Sequence, residues 1–176
     1  MFDYLYKAKS VLVFGESAKL PTQDLALQVV DKAKNKNITI GCAESITSGM
    51  ISAAITSVSG SSEVFLGGIN SYAYSVKNSV LGVSNDLLEN VGAVNAEVAK
   101  QMAQGAKKSI KCDLAISITG IAGPNSDEFN TPVGTVFIGL CSNNISEAKE
   151  FHLKGNRQQI RESATNEALR VILNYI

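Results

Sequence analysis

Ile38-Thr39-Ile40-Gly41-Cys42-Ala43, followed at once by Glu44-Ser45-Ile46-Thr47-Ser48-Gly49, decides the architecture. The first six residues are uncharged and β-rich, suited to a buried strand. The next six are mostly small and polar. Beyond them Met50, Ile51, Ala54 and Ile55 recur as the core stripe of a helix. A buried strand passing through a polar turn into a helix is the repeating unit of an α/β domain.

Upstream, Leu25, Ala26, Val29, Val30 and Ala33 mark a helix that starts near Thr22 or Gln23. Val11–Phe14 is a short apolar run, read as an edge strand. Downstream, Val64–Tyr74 reads as a second strand, in which Gly67-Gly68 predicts a bulge or a close backbone approach. Val76–Leu81 makes one or two helical turns. Ser84 and Asn95 are N-caps of two further helices. The second carries a Val98, Met102 and Ala106 stripe, within which Gly105 is tolerated. Asp113–Ile118 is a strand that ends in Thr119-Gly120-Ile121-Ala122-Gly123-Pro124, and a polar loop follows to Pro132. Gly134–Cys141 and Ala148–Leu153 form a hairpin turning near Ser142-Asn143-Asn144. A last helix begins at about Arg157, with Ile160, Ala164, Ala168, Val171 and Ile172 facing inward. This order predicts a three-layer α/β/α domain with a mixed sheet. The segment before residue 36 is a candidate appendage. The domain assignment is a single domain over 1–176, with 1–21 as its N-terminal appendage.

At 176 residues the chain is one domain by size. Sixteen basic and sixteen acidic residues cancel, and 45% of residues are hydrophobic. A balanced chain lacks the electrostatic footprint for direct nucleic-acid or anionic-membrane binding. The uncharged stretch Ser45–Ser62 is too rich in Ser, Thr and Gly to span a bilayer. The apolar run after Lys7 and Lys9 is too short for a secretory signal. With three widely spaced cysteines (Cys42, Cys112 and Cys141), this predicts free thiols and a cytoplasmic location. No cysteine pair or neighbouring histidine has metal-ligand spacing, so no metal is expected.

Chemistry is expected where strands end and helices begin. Ser45 lies just past a strand, where unpaired backbone N–H groups could hold an oxyanion while the hydroxyl attacks a carbonyl. An ordinary N-cap serine satisfying the N–H of residue 47 or 48 would occupy the same position. His152, the only histidine, falls inside a strand and is more often structural there. Lys77, five residues after Tyr72, is the better candidate base, provided burial or a neighbouring cation lowers its pKa. By position alone it is a solvated lysine at a helix start, and Tyr72 a half-buried strand aromatic. The turn 119–124 could offer N–H groups to a phosphate or carboxylate, or simply be a tight turn. Arg157 and Arg161 share one helix face, suited to a phosphate or merely solvated.

Five segments occur together and in order: Ala43-Glu44-Ser45; Gly68 through Tyr72 and Lys77 to Leu81-Gly82-Val83; Thr119 to Pro124; Pro132-Val133-Gly134-Thr135-Val136; and Gly155-Asn156-Arg157 to Ile160-Arg161. Their order and spacing resemble the CinA C-terminal-domain family, over roughly residues 22–174. Val11–Ser17 is similar to the segment that joins the two domains of full-length members. The resemblance implies an α/β/α fold and a cytoplasmic, metal-independent amidase without a cofactor. This amidase would convert nicotinamide mononucleotide to nicotinic acid mononucleotide and ammonia in pyridine-nucleotide salvage. It places the nucleophile on Ser45, the base on Lys77, the assisting tyrosine on Tyr72 and an assisting threonine on Thr119. It puts Glu44 at the acidic position before the serine and Arg157 near the substrate phosphate. Thr47, Ser48, Gly49, Gly120 and Gly123 complete the expected substrate-binding set. The expected partners are a small nucleotide substrate and further copies of the chain. The alternative is a catalytically silent nucleotide-binding domain, or a partner-binding domain associated with competence or repair. The chain departs from the family pattern in three places. Ile46 replaces a cysteine, Ser48 replaces a glycine, and Asn125-Ser126-Asp127-Glu128 replaces a glycine-rich loop. The acids Asp127 and Glu128 there would repel a phosphate.

Overall fold

The computed structural model describes residues 21–176, so the expected edge strand at Val11–Phe14 lies outside the described residues. Within them the chain runs α1 (Thr22–Lys36), β1 (Ile40–Glu44), α2 (Met50–Thr56), β2 (Phe65–Asn70), α3 (Tyr74–Leu81), α4 (Asn85–Val91) and α5 (Ala96–Ile110). It continues through β3 (Leu114–Gly120), β4 (Thr135–Cys141), β5 (Ser146–His152) and α6 (Arg157–Tyr175). The five strands form one sheet in the order β2-β1-β3-β4-β5. The pairings β1–β2 and β1–β3 are parallel, and β3–β4 and β4–β5 are antiparallel. Helices α1, α2 and α6 pack together over one face, while α3, α4 and α5 cluster over the other. The mixed, three-layer α/β/α architecture read from the sequence is the one found.

β1 is buried at every position and β3 at all but its last residue, as expected of central strands covered on both faces. Thr22–Lys36 is no appendage: Leu25, Ala26, Val29, Val30 and Ala33 are buried in the core that α6 completes. α2 contains the whole predicted stripe but buries only half of it. Only Ile51 and Ile55 are fully buried, and Met50 and Ala54 are partly exposed. Both predicted N-caps are made: Ser84 Oγ accepts from Leu87 N–H and the Asn95 side chain from Val98 N–H.

Two glycines permit close approaches. A Cβ on Gly68 would collide with the Ser52 hydroxyl and lie 2.7 Å from Cys42 Sγ, and the β1–β2 register slips beside Gly67. Gly105 is required rather than merely tolerated. A Cβ there would overlap the Leu81 carbonyl, so α5 can press against α3 only because the side chain is missing. That contact fixes α3, the helix that carries Lys77.

The second strand is shorter than the predicted Val64–Tyr74. Ser71 N–H still donates to the Glu44 carbonyl at 2.8 Å, but the chain then leaves the sheet. The Ser71 and Tyr72 carbonyls turn to a lysine amine, and α3 starts at Tyr74. Because the first three strands in the spatial order are parallel, and Glu44 lies in register with both Asn70 and Ile118, their carboxyl ends line up. The next residues, Ser45, Ser71 and Thr119, therefore form a row along one edge of the sheet.

Candidate functional site

A cavity of about 160 Å³ opens over that row. Its floor is buried: Ser45, Ile46, Lys77, Ala93, Thr119 and Ala122. Its mouth carries Tyr72, Tyr74, Asp127 and Arg157. The placement matches the rule that α/β sheets bind ligands beyond the carboxyl ends of their strands.

Lys77 is 1% exposed, not solvated. Its Nζ lies 3.0 Å from Ser45 Oγ, 2.6 Å from the Ser71 carbonyl and 3.0 Å from the Tyr72 carbonyl. Among the described residues no carboxylate pairs with it. Burial alone holds the amine down at about 8, against 10.5 for a free lysine. The contact set has a directional consequence. When the amine is neutral, its two N–H bonds are claimed by the two carbonyls, and its lone pair is left facing the Ser45 hydroxyl. When it is protonated, the third hydrogen points at Ser45 Oγ. Either form keeps the two side chains in line for proton exchange.

Ser45 is not an N-cap. Its own N–H donates to the Ile118 carbonyl, and α2 begins only at Met50, behind Gly49. The capping is done by Glu44, which is fully buried. Glu44 Oε2 accepts from Gly49 N–H (2.9 Å), Ile51 N–H (3.1 Å) and the Thr47 hydroxyl (2.7 Å). Glu44 Oε1 accepts from Ser52 N–H (2.9 Å) and the Ser52 hydroxyl (2.8 Å). A carboxylate at a helix start, given this many donors, is stable without a cation. Arg161 locks the same turn from the other side, donating to the Ile46 carbonyl at 3.0 Å and the Thr47 carbonyl at 2.9 Å.

The structure divides the expected site residues. Ser45, Lys77, Tyr72, Thr119, Gly120 and Arg157 all line the cavity. Glu44, Thr47, Ser48, Gly49 and Gly123 do not. Glu44 and Thr47 are bonded to each other beneath the turn, Gly49 gives its N–H to Glu44, and Ser48 is exposed with φ of +52°. Gly123 contributes a carbonyl, to which Arg157 Nη1 donates at 2.7 Å. Thr119 commits its hydroxyl hydrogen to the Ala93 carbonyl at 2.9 Å, holding the 92–95 segment as a cavity wall. Tyr72 is 64% exposed and contributes its ring at the mouth and its carbonyl to Lys77. His152 takes no part: it is exposed on β5 beside Glu150. The three cysteines are free and buried, and burial pushes all three thiols up, away from nucleophilic use.

Sequence reasoning missed Tyr74. Its hydroxyl donates to Glu128 Oε1 and accepts from Ala93 N–H, both at 3.3 Å. Burial, helped by the Glu128 and Asp127 carboxylates, raises this phenol's pKa. The signal was present in Tyr72-Ala73-Tyr74, at the point where the chain leaves the sheet. Asp127 was noted for its charge but not as part of the wall.

Among the described residues no three His, Cys, Asp or Glu side chains gather as a metal would require, and no helix is long and apolar enough to cross a membrane.

Comparison with known proteins points to one family. A CinA-like protein of Syntrophomonas wolfei is 44% identical over 142 residues, covering 81% of this chain and 34% of that protein. The chain spans about a third to two-fifths of the length of the curated relatives it matches. Among solved structures, a competence-damaged protein (CinA) superfamily protein from Escherichia coli superposes with a TM-score of 0.88 at 25% identity, covering 94% of this chain and 96% of that one. The competence/damage inducible protein CihA from Agrobacterium tumefaciens gives 0.80 at 31% identity, over 87% and 95%. The model of the CinA C-terminal domain matches residues 22–176, every described residue but Pro21, and the chain belongs to that family.

Proposed function

We propose that the chain is a serine amidohydrolase acting on the carboxamide of a pyridine nucleotide, with nicotinamide mononucleotide as its representative substrate. The observation that carries this reading is the 3.0 Å contact, at the floor of a cavity, between the Ser45 hydroxyl and a buried lysine amine that has no counter-ion among the described residues.

Neutral Lys77 takes the proton of Ser45 Oγ as the oxygen bonds to the carboxamide carbon. Gly49, Ile51 and Ser52 have given their N–H groups to Glu44, so they are not available to the oxyanion. The Ile46 amide is. Ile46 lines the cavity, and its N–H donates to no protein acceptor among the described residues. An N–H from the residue after the nucleophile is a recurrent oxyanion donor. The C–N bond then breaks, and the Lys77 ammonium returns the proton to the departing ammonia, with Tyr72 assisting from the mouth. A water, deprotonated by the same amine, opens the acyl-serine to the carboxylic acid. The sum is amide plus water giving acid plus ammonia.

The test is ammonia release from nicotinamide mononucleotide by the purified chain and by Ser45→Ala. Loss of at least about 10⁴-fold in the variant is expected. Equal ammonia release from both proteins sinks the serine chemistry. Saturable nucleotide binding without any ammonia from the parent would instead support a silent binding domain.

A further inference from the structure

Ser45 lies at the cavity floor, so a ligand whose carboxamide reaches its hydroxyl extends from there toward the mouth. An acidic and a basic side chain line that mouth: Asp127 and Arg157. Arg157 is partly spent on the Gly123 carbonyl. Asp127 is held rigidly. Its Oδ1 accepts from Phe129 N–H (3.2 Å) and Thr131 N–H (2.8 Å), and its Oδ2 accepts from the Thr131 hydroxyl (2.9 Å). These three bonds hold the carboxylate in place at the mouth. The loop is pinned to the cavity wall at two further points. The Glu128 carboxylate accepts from the Tyr74 hydroxyl, and the Phe129 ring packs where a Cβ on Gly92 would sit. With Lys77 in its neutral, reactive form, Arg157 is opposed by Asp127 and Glu128.

We propose that Asp127 selects substrates by charge, so that the site takes a pyridinium carboxamide nucleoside lacking the 5′-phosphate in preference to the phosphorylated nucleotide. This rests on the amidohydrolase reading and revises its substrate order, ranking the unphosphorylated nucleoside above the mononucleotide taken there as representative. A fixed carboxylate attracts the cationic ring and repels a phosphate dianion, and both effects are strongest in a partly dehydrated cleft. Arg157 still offers a contact to the phosphate, so the nucleotide is disfavoured rather than excluded.

The experiment compares kcat/KM for nicotinamide riboside and nicotinamide mononucleotide in the parental chain, Asp127→Asn and Asp127→Glu. The parent should favour the riboside. Asp127→Asn should lower kcat/KM for the riboside and raise it for the mononucleotide, each by about five- to tenfold. Asp127→Glu, which keeps the charge, should restore the parental order. A purely structural role would move both substrates in the same direction, and that result overturns the proposal. So does a parent that favours the mononucleotide. The same ratios are read as Kd by calorimetry in Ser45→Ala and in its double variant with Asp127→Asn. Charge-ordered binding with no ammonia from the parent would sustain the selectivity while sinking the amidohydrolase reading. Binding without that order overturns the selectivity even if ammonia is released.

Discussion

Two buried ionisable side chains flank Ser45, and they are treated in opposite ways. Beneath the turn, Glu44 is met by five N–H and O–H donors and by the start of α2. At the cavity floor, Lys77 meets three oxygens and, among the described residues, no opposite charge. A carboxylate so well served has its accepting capacity taken up by the 45–49 turn and the start of α2, and it holds that turn in place. An amine served only by neutral acceptors is kept near the point of losing its proton. The same fold thus makes one buried group inert and its neighbour reactive, and the number and charge of the partners decide which.

Removing the reactive group tests this contrast most severely. Lys77→Met should lower kcat by about 10²–10⁴-fold while leaving the fold intact, read by ammonia release and circular dichroism. The base is the neutral amine, with a pKa of about 8. Parental kcat/KM should therefore rise close to tenfold per pH unit below 8 and flatten above it. A flat profile between pH 6 and 8 breaks the assignment. Stability carries the complementary sign. The unfolded amine, at 10.5, binds its proton more tightly than the folded one. Burial of the ammonium therefore opposes folding below about pH 8, and this penalty is relieved as the pH rises toward 10.5. In denaturation midpoints the parent should gain on Lys77→Met across that window.

The inert group should show itself in stability first. Glu44→Gln replaces one accepting oxygen by an NH₂ that faces existing donors, such as the amides of Gly49 and Ile51 or that of Ser52. A cost of about 3 kcal/mol is expected, since hydrogen bonds to a charged group are lost and a buried donor is orphaned. Urea denaturation measures it. An unchanged midpoint would mean that the carboxylate does not hold the turn.

This contrast could be read only in part from the sequence. The strand–turn–helix units, both caps and the inward faces of α5 and α6 followed from local periodicity, because each is decided by residues within a turn or two. Ser45 and Lys77 were legible as types in a family pattern, but the burial of Lys77 was not. It depends on α3 being pressed down by α5 at Gly105, and on two carbonyls freed when β2 ends early at Asn70. Glu44 was misplaced for a related reason. A strand alternates its faces, and only the register and the path of the turn decide whether residue 44 or 45 looks into the cleft. The Asp127 loop has no periodicity at all, so its approach to the mouth shows only in three dimensions.

The smallest expected effect sharpens the comparison most finely. Ser48 sits in the left-handed region at φ +52°, exposed, in the middle of the turn that Glu44 anchors. The resemblance places a glycine at this position. A non-glycine residue there carries a steric cost that its exposed side chain does nothing to offset. Ser48→Gly should therefore stabilise the protein by about 0.5–1 kcal/mol, a rise in Tm of about 2 °C in a domain of this size, measured by calorimetry. The expected gain is small because glycine also frees the unfolded chain. If Glu44 and Arg161 already define the turn, relieving this strain should leave the pH profile set by Lys77 where it was. A shift in that profile would show that the anchored side of Ser45 and its reactive side are mechanically coupled through the turn.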